Sequence, residues 1–144
     1  MRIAQLIYLL DDGGAETLMR DLSRHLARAG HEVDIFLLDR WTHSSLEDAS
    51  REMLRRDGVS IRSLGRRRGC PGLMPAAKLW AKIQLNRYDI VHSHLSIPNV
   101  VAGFLDRVGP HRFRHVVTVH NTLKRLGFTR KKSLYVRTSN AGAT

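Results

Sequence analysis

The chain has 144 residues, 42% hydrophobic and 26% charged, which suits one domain with a sizeable core and excludes wholesale disorder. Its one cysteine, Cys70, excludes an internal disulfide framework and a cysteine-built zinc site, so a cytoplasmic setting is expected. The net charge of +11 is uneven: residues 1–61 carry 8 Lys and Arg against 11 Asp and Glu, residues 62–144 carry 16 against 2. The basic part suits an anionic partner (phosphate, nucleic acid or lipid surface), or a face covered by an acidic segment or partner.

The first apolar run, 2–8, contains Gln5, has no small-residue cleavage site behind it and is far too short to span a membrane. It reads as a strand and not as a signal peptide. Next, Ala15, Leu18, Met19, Leu22, Leu26 and Ala29 repeat at helical spacing, with Gly30 as the terminating residue. A strand is expected over 32–38. Ser44 and Glu47 form a candidate capping box for a helix over 45–56. After a strand over 59–64 comes a basic loop, 65–72, with Arg66, Arg67 and Arg68. A helix over 73–86 uses Ala76, Ala77, Trp80 and Ile83, and a strand follows over 89–92. Ile97, Val100, Val101, Phe104, Leu105 and Val108 mark another helix, with Ser96 as its candidate N-cap and Pro98 in its first turn. The last strand is placed over 115–120. Beyond Thr122 the pattern weakens into a basic, then small and polar stretch.

Strands alternating with helices, several of them apolar on both faces, predict a doubly wound α/β fold. It is Rossmann-like: a parallel sheet in the order 3-2-1-4-5 with helices on both faces. Ligands of such sheets bind beyond the carboxyl ends of the strands where the order reverses, here between the first and fourth. Three loops reach that point.

The first is Asp11-Asp12-Gly13-Gly14-Ala15-Glu16. Two glycines before a helix let the backbone approach a phosphate at the positive helix N-terminus, or they serve a tight turn that needs positive φ. The second is Val91-His92-Ser93-His94. Alternation puts His92 and His94 on one side, as a polar pocket lining; with His120 they make a conceivable metal triad, but no carboxylate or cysteine supports one and no metal is expected. The third, Thr118-Val119-His120-Asn121-Thr122, ends a strand in a titratable group and two hydrogen-bonding residues. His120 is either a satisfied structural histidine or a functional one.

These landmarks occur in an order that resembles the N-terminal domain of family-4 glycosyltransferases of the GT-B type. The resemblance rests on Ile3–Tyr8, Gly13-Gly14-Ala15-Glu16, Leu26-Ala27-Arg28-Ala29-Gly30-His31-Glu32-Val33, Tyr88-Asp89-Ile90-Val91-His92-Ser93-His94 and Thr118-Val119-His120-Asn121-Thr122. It implies a Rossmann-like acceptor-side domain over 1–122, followed by a basic, irregular or partly helical tail over 123–144. It further implies transfer of a sugar from a nucleotide-sugar donor to a saccharide or lipid acceptor, with retention and without metal or cofactor. Gly13 and Gly14 would approach the donor phosphate, and His120 would lie at the reacting sugar. His94, Asn121 and Thr122 would bind substrate. The basic loop 65–72 would belong to the acceptor side or to peripheral contact with an anionic membrane.

The family's pair of glutamates separated by seven residues is absent, since Glu16, Glu32, Glu47 and Glu52 are the only glutamates. A missing C-terminal Rossmann-like domain is therefore an expected partner, and the chain is expected to be inactive alone. A competing reading is a non-catalytic Rossmann-like module binding an anionic surface or a partner chain. Another is an NAD-dependent oxidoreductase with Asp39 at the ribose, although the glycine pattern does not match. No nucleic-acid partner is expected, because aromatic residues are not interleaved with the basic ones.

Overall fold

A computed structural model of the chain describes residues 1–67, 73–108 and 113–120. Its elements are β1 (Arg2–Ile7), α1 (Gly14–Arg28), β2 (Glu32–Asp39), α2 (Ser45–Arg56), β3 (Ser60–Arg66), α3 (Leu73–Asn86), β4 (Ile90–His94), α4 (Ser96–Val108) and β5 (Arg114–Thr118). All strand pairs are parallel, in the order β3-β2-β1-β4-β5. This is the doubly wound α/β, Rossmann-like sheet that the alternation of patterns predicts.

Alternation along the strands divides the core into two layers. Ile7, Ile35 and Leu37 face α1 and α2 and pack with Met19 and Leu54. Leu6, Phe36, Leu38 and Val91 face α3 and α4 and pack with Leu79, Ile83, Val101 and Leu105. Central strands buried on both faces explain why β1 and β2 read as near-continuous apolar runs.

The helix ends follow local chemistry. Gly30, with φ of 86°, closes α1 as its N–H reaches Ala27 O and that of His31 reaches Leu26 O. Gly58, with φ of 80°, closes α2 in the same way, through Arg55 O and Leu54 O. Both are Schellman closures, in which a left-handed residue satisfies the last carbonyls. At the start of α2 the Ser44 hydroxyl accepts the Glu47 N–H at 3.2 Å, which is half of the expected capping box. The other half does not form. Glu47 Oε2 turns instead to the N–H of Thr42, the hydroxyl of Thr42 and the N–H of His43, at 2.7, 2.7 and 2.8 Å. That carboxylate holds the β2–α2 loop through His43, whose φ is 54°.

Four expectations need correction. Ser96 is the first residue of α4 and not its cap, because the carbonyl of Leu95 already accepts the Asn99 N–H. The fourth strand extends through His94, which pairs with Thr118, and the fifth ends at Thr118, leaving Val119 and His120 beyond the ladder. On α3 the buried positions are Pro75, Leu79 and Ile83, while Trp80 is 42% exposed, so the face is rotated from the one expected. On α4 only part of the apolar stripe meets the sheet: Val101 and Leu105 are buried, whereas Val100 and Phe104 are half exposed. Arg68, Cys70 and the tail 123–144 lie outside the described residues.

Candidate functional site at the carboxyl edge of the sheet

The sheet order places β1 between β2 and β4, and the crossovers diverge there. The turn after β1, the turn after β4 and the end of β5 all open on the carboxyl edge, where ligands of this architecture bind.

At the first turn, Gly13 is the N-cap of α1 with extended backbone (φ −94°, ψ 159°), and Gly14 is already helical. Neither has positive φ, so the turn does not need glycine for its backbone angles; among the described residues the left-handed glycines are Gly30, Gly58 and Gly65. A Cβ at Gly14 would meet nothing within 4 Å, whereas one at Gly13 would clash with the Glu16 carboxylate, which lies over that glycine. No side chain caps this helix. Its first N–H groups carry the positive end of the helix dipole, which favours an anion, and the surface is open at Gly14.

The second feature is a group of imidazoles on β4 and β5. His92 and His94 share a face, as expected, with ring centroids 4.1 Å apart. Val91 packs in the layer below α3 and α4, so the two histidines project on the opposite side, the one that carries Ile7. Each finds a neutral partner. His92 Nε2 lies 2.7 Å from the Thr118 hydroxyl, and His94 Nε2 lies 2.8 Å from Gln5 Oε1. His94 Nδ1 and His120 Nε2 are 3.1 Å apart and share a hydrogen. On the other face of β4, the hydroxyl of Ser93 bonds to His115 Nε2 at 2.8 Å.

Burial sets the electrostatics of this group. His94 is wholly buried, and desolvation holds its pKa down to about 3, with repulsion from His92 and His120 adding to the shift. Desolvation lowers His92 to about 4, again helped by neighbouring imidazoles. Both rings are therefore neutral near pH 7 and act by hydrogen bonding, not as proton donors from an imidazolium. His120 is half-buried at the surface end of the chain of contacts. Among the described residues no three such side chains are placed to hold a metal ion.

Third, a cavity of about 520 Å³ lies over the carboxyl ends of β1, β2 and β3, lined among others by Asp11, Arg40, Trp41, Thr42 and Arg67. Its floor contains a buried ion pair in which Arg66 Nε donates to Asp39 Oδ1 at 2.6 Å. Arg66 also lies over the Tyr8 ring at 5.5 Å, and Arg51 stacks on the Trp41 ring at 4.0 Å. Tyr8 links the two parts of the edge, since its hydroxyl accepts the Ile97 N–H at the start of α4 at 3.2 Å. Asp39 is therefore engaged by an arginine through Oδ1.

The structure brings His94 and His120 together and places Gly13 and Gly14 at the neighbouring turn of the same edge. Asn121 and Thr122 lie outside the described residues. Sequence reasoning missed Gln5, Thr118, Trp41 and the Asp39–Arg66 pair. The signal for Gln5 was present: it is the lone amide among the apolar residues Ile3, Ala4, Leu6 and Ile7.

Comparison with known proteins follows the same outline. The family model of Glycosyltransferase Family 4 matches residues 12–142. No curated protein matches the chain. Among solved structures, a glycosyltransferase from Rickettsia africae ESF-5 aligns with a TM-score of 0.59 at 19% identity, covering 87% of this chain and 32% of that one. Anabaena HepE, crystallised in complex with UDP and glucose, aligns with a TM-score of 0.64 at 17% identity, covering 94% of this chain and 34% of that one. At such identity the likeness speaks for the fold, and the chain spans about a third of the length of either protein.

Proposed function

The chain belongs to glycosyltransferase family 4, and from that premise we propose that it forms the acceptor-side half of an enzyme that transfers a sugar from a nucleotide-sugar donor to a saccharide or lipid acceptor. The observation that carries this reading is the span of the family match, which runs through Gly13, Gly14, His94 and His120 in one alignment. In this proposal the uncapped start of α1 takes the donor phosphate, and the glycines let it come close to the backbone. His120 meets a hydroxyl of the donor sugar near the reacting carbon, while Asn121 and Thr122 add substrate contacts. The cavity beside Trp41 receives the acceptor, and its Arg40 and Arg67 suit an anionic one, whether a charged saccharide or a lipid phosphate at a membrane surface.

These groups line one wall of a cleft. Transfer needs the leaving nucleotide held and water kept out, and a misplacement of about 1 Å can cost roughly 100-fold in rate. The opposite wall, in a GT-B arrangement, is a second Rossmann-like domain. HepE, bound to UDP and glucose, is consistent with a nucleotide-sugar donor for this chain also.

The test joins the chain to a matching C-terminal domain and assays a panel of labelled nucleotide sugars with saccharide and lipid acceptors. His120→Ala in that protein is expected to lower turnover on the order of 100-fold with the fold intact, as loss of a positioned polar group at the reacting centre does. Unchanged turnover in a well-folded His120→Ala protein would remove His120 from the site. No transfer with any donor would refute the enzymatic reading.

A further inference from the structure

Buried amides at the centre of a parallel sheet are costly, and Gln5 is wholly buried. Its oxygen has one partner, His94 Nε2, at 2.8 Å. Its nitrogen is buried without one. A leucine at the same strand position would leave the buried His94 Nε2 unpaired, so the amide oxygen is what satisfies that ring.

That oxygen can only accept. His94 Nε2 must then carry the hydrogen of the bond. A neutral imidazole has one N–H, and His94 is kept neutral by its burial. Its Nδ1 is therefore a lone pair, and the hydrogen shared with His120 across 3.1 Å belongs to His120 Nε2. With its Nε2 hydrogen committed to that bond, His120 in its one-hydrogen form has its lone pair on Nδ1. An amide on β1 thus sets the hydrogen on an imidazole beyond β5, two strands away, through one intervening ring.

We propose that Gln5 is a positioning residue that acts through His94 to fix the tautomer of His120, so that His120 offers Nδ1 as a hydrogen-bond acceptor to a sugar hydroxyl. This rests on the reading that His120 meets the donor sugar. The direction of the relay matters for that task. An amide turned the other way would donate to His94 Nε2, make His94 donate from Nδ1, and leave His120 presenting an N–H. A hydroxyl can satisfy either, but only an acceptor ring draws the hydroxyl hydrogen towards the protein and leaves the sugar oxygen free for other donors. His92 stacks on His94 at 4.1 Å and bonds separately to Thr118, which holds the middle ring without taking part in the relay.

The test is nuclear magnetic resonance on the 144-residue chain with ¹⁵N-labelled histidine, at a pH where the imidazoles are neutral and with no sugar present. Two-bond correlation spectra distinguish the nitrogen that bears hydrogen from the one that does not. His94 and His120 are both expected as Nε2–H tautomers, with a scalar coupling across the bond from His120 Nε2 to His94 Nδ1. An Nδ1–H tautomer at His94, or absence of the coupling, overturns the proposal without any variant. Gln5→Met, which keeps the volume and removes the acceptor, is expected to release His120 to a mixture of both tautomers. A folded Gln5→Met chain with His120 unchanged would equally overturn the relay. Because the spectra need no substrate, they decide the relay, while the turnover of His120→Ala decides the glycosyl-transfer reading.

Discussion

Keeping two imidazoles neutral inside the sheet has a consequence for stability against pH. In the unfolded chain His92 and His94 titrate near 6.5, whereas in the folded chain they do so at about 4 and about 3. Between these values the unfolded state binds more protons, so stability falls as pH drops through 6.5 and levels off only where the folded rings protonate. On going from neutral pH to about pH 5.5, each ring that stays neutral when folded costs about 1.3 kcal/mol, or roughly 2.5 kcal/mol for the pair. That is a large part of the ~5–15 kcal/mol that holds a typical domain together. His115, also lowered by burial, acts in the same direction. Glu52 and Asp57 contribute little over this interval, because arginine partners lower their folded values and carboxylates of the unfolded chain also titrate below about 5.5. The assay is urea unfolding at several pH values from neutral to about 5.5. It is run on the wild type and on a chain carrying His92→Gln and His94→Gln, whose pH slope should be shallower by the pair's share. Stability independent of pH in the wild type would refute the reasoning. So would a folded-state titration of either ring near 6.5, which can be followed by resonance shifts even where the double variant fails to fold.

Three further outcomes follow from particular contacts. Gly14→Val adds a side chain into open space on helical backbone, so the fold should lose no more than about 1 kcal/mol while affinity for the donor phosphate drops about tenfold; calorimetry with a nucleotide sugar on the two-domain protein would show it, and unchanged affinity would remove Gly14 from the phosphate site. Asp39→Asn leaves the Arg66 guanidinium buried without its counter-charge and should cost about 3 kcal/mol in urea unfolding, with Arg66→Met added to it restoring much of the loss; a neutral Asp39→Asn would mean that water reaches the pair. Glu47→Ala removes the acceptor of three hydrogen bonds in the loop before α2 and should cost about 3 kcal/mol, with faster amide exchange at Thr42 and His43 as its local signature; protection unchanged at those two amides would refute the assigned role.

What the sequence made legible follows from what periodicity encodes. The strand order came from right-handed crossovers applied to an alternating pattern, and the helix end at Gly30 came from a position that only glycine tolerates easily. Periodicity does not encode which part of a wide apolar stripe meets the sheet. Phe104 and Val100 belong to the same pattern as Val101 and Leu105, and only the angle at which α4 lies on β4 separates them. The site divides in the same way. Gly13, Gly14, His94 and His120 stand out because glycine pairs and strand-end histidines are unusual where they occur. Gln5 sits 89 positions from the ring it controls, and its role depends on β1 and β4 being neighbours. No local pattern can carry that pairing. A single amide in an apolar strand is the trace it leaves, and its meaning comes only with the register that sets Gln5 against His92 and brings its oxygen to His94. Chemistry that spans strands is thus written in the sequence as an exception to burial, and the sheet topology supplies the partner that explains it.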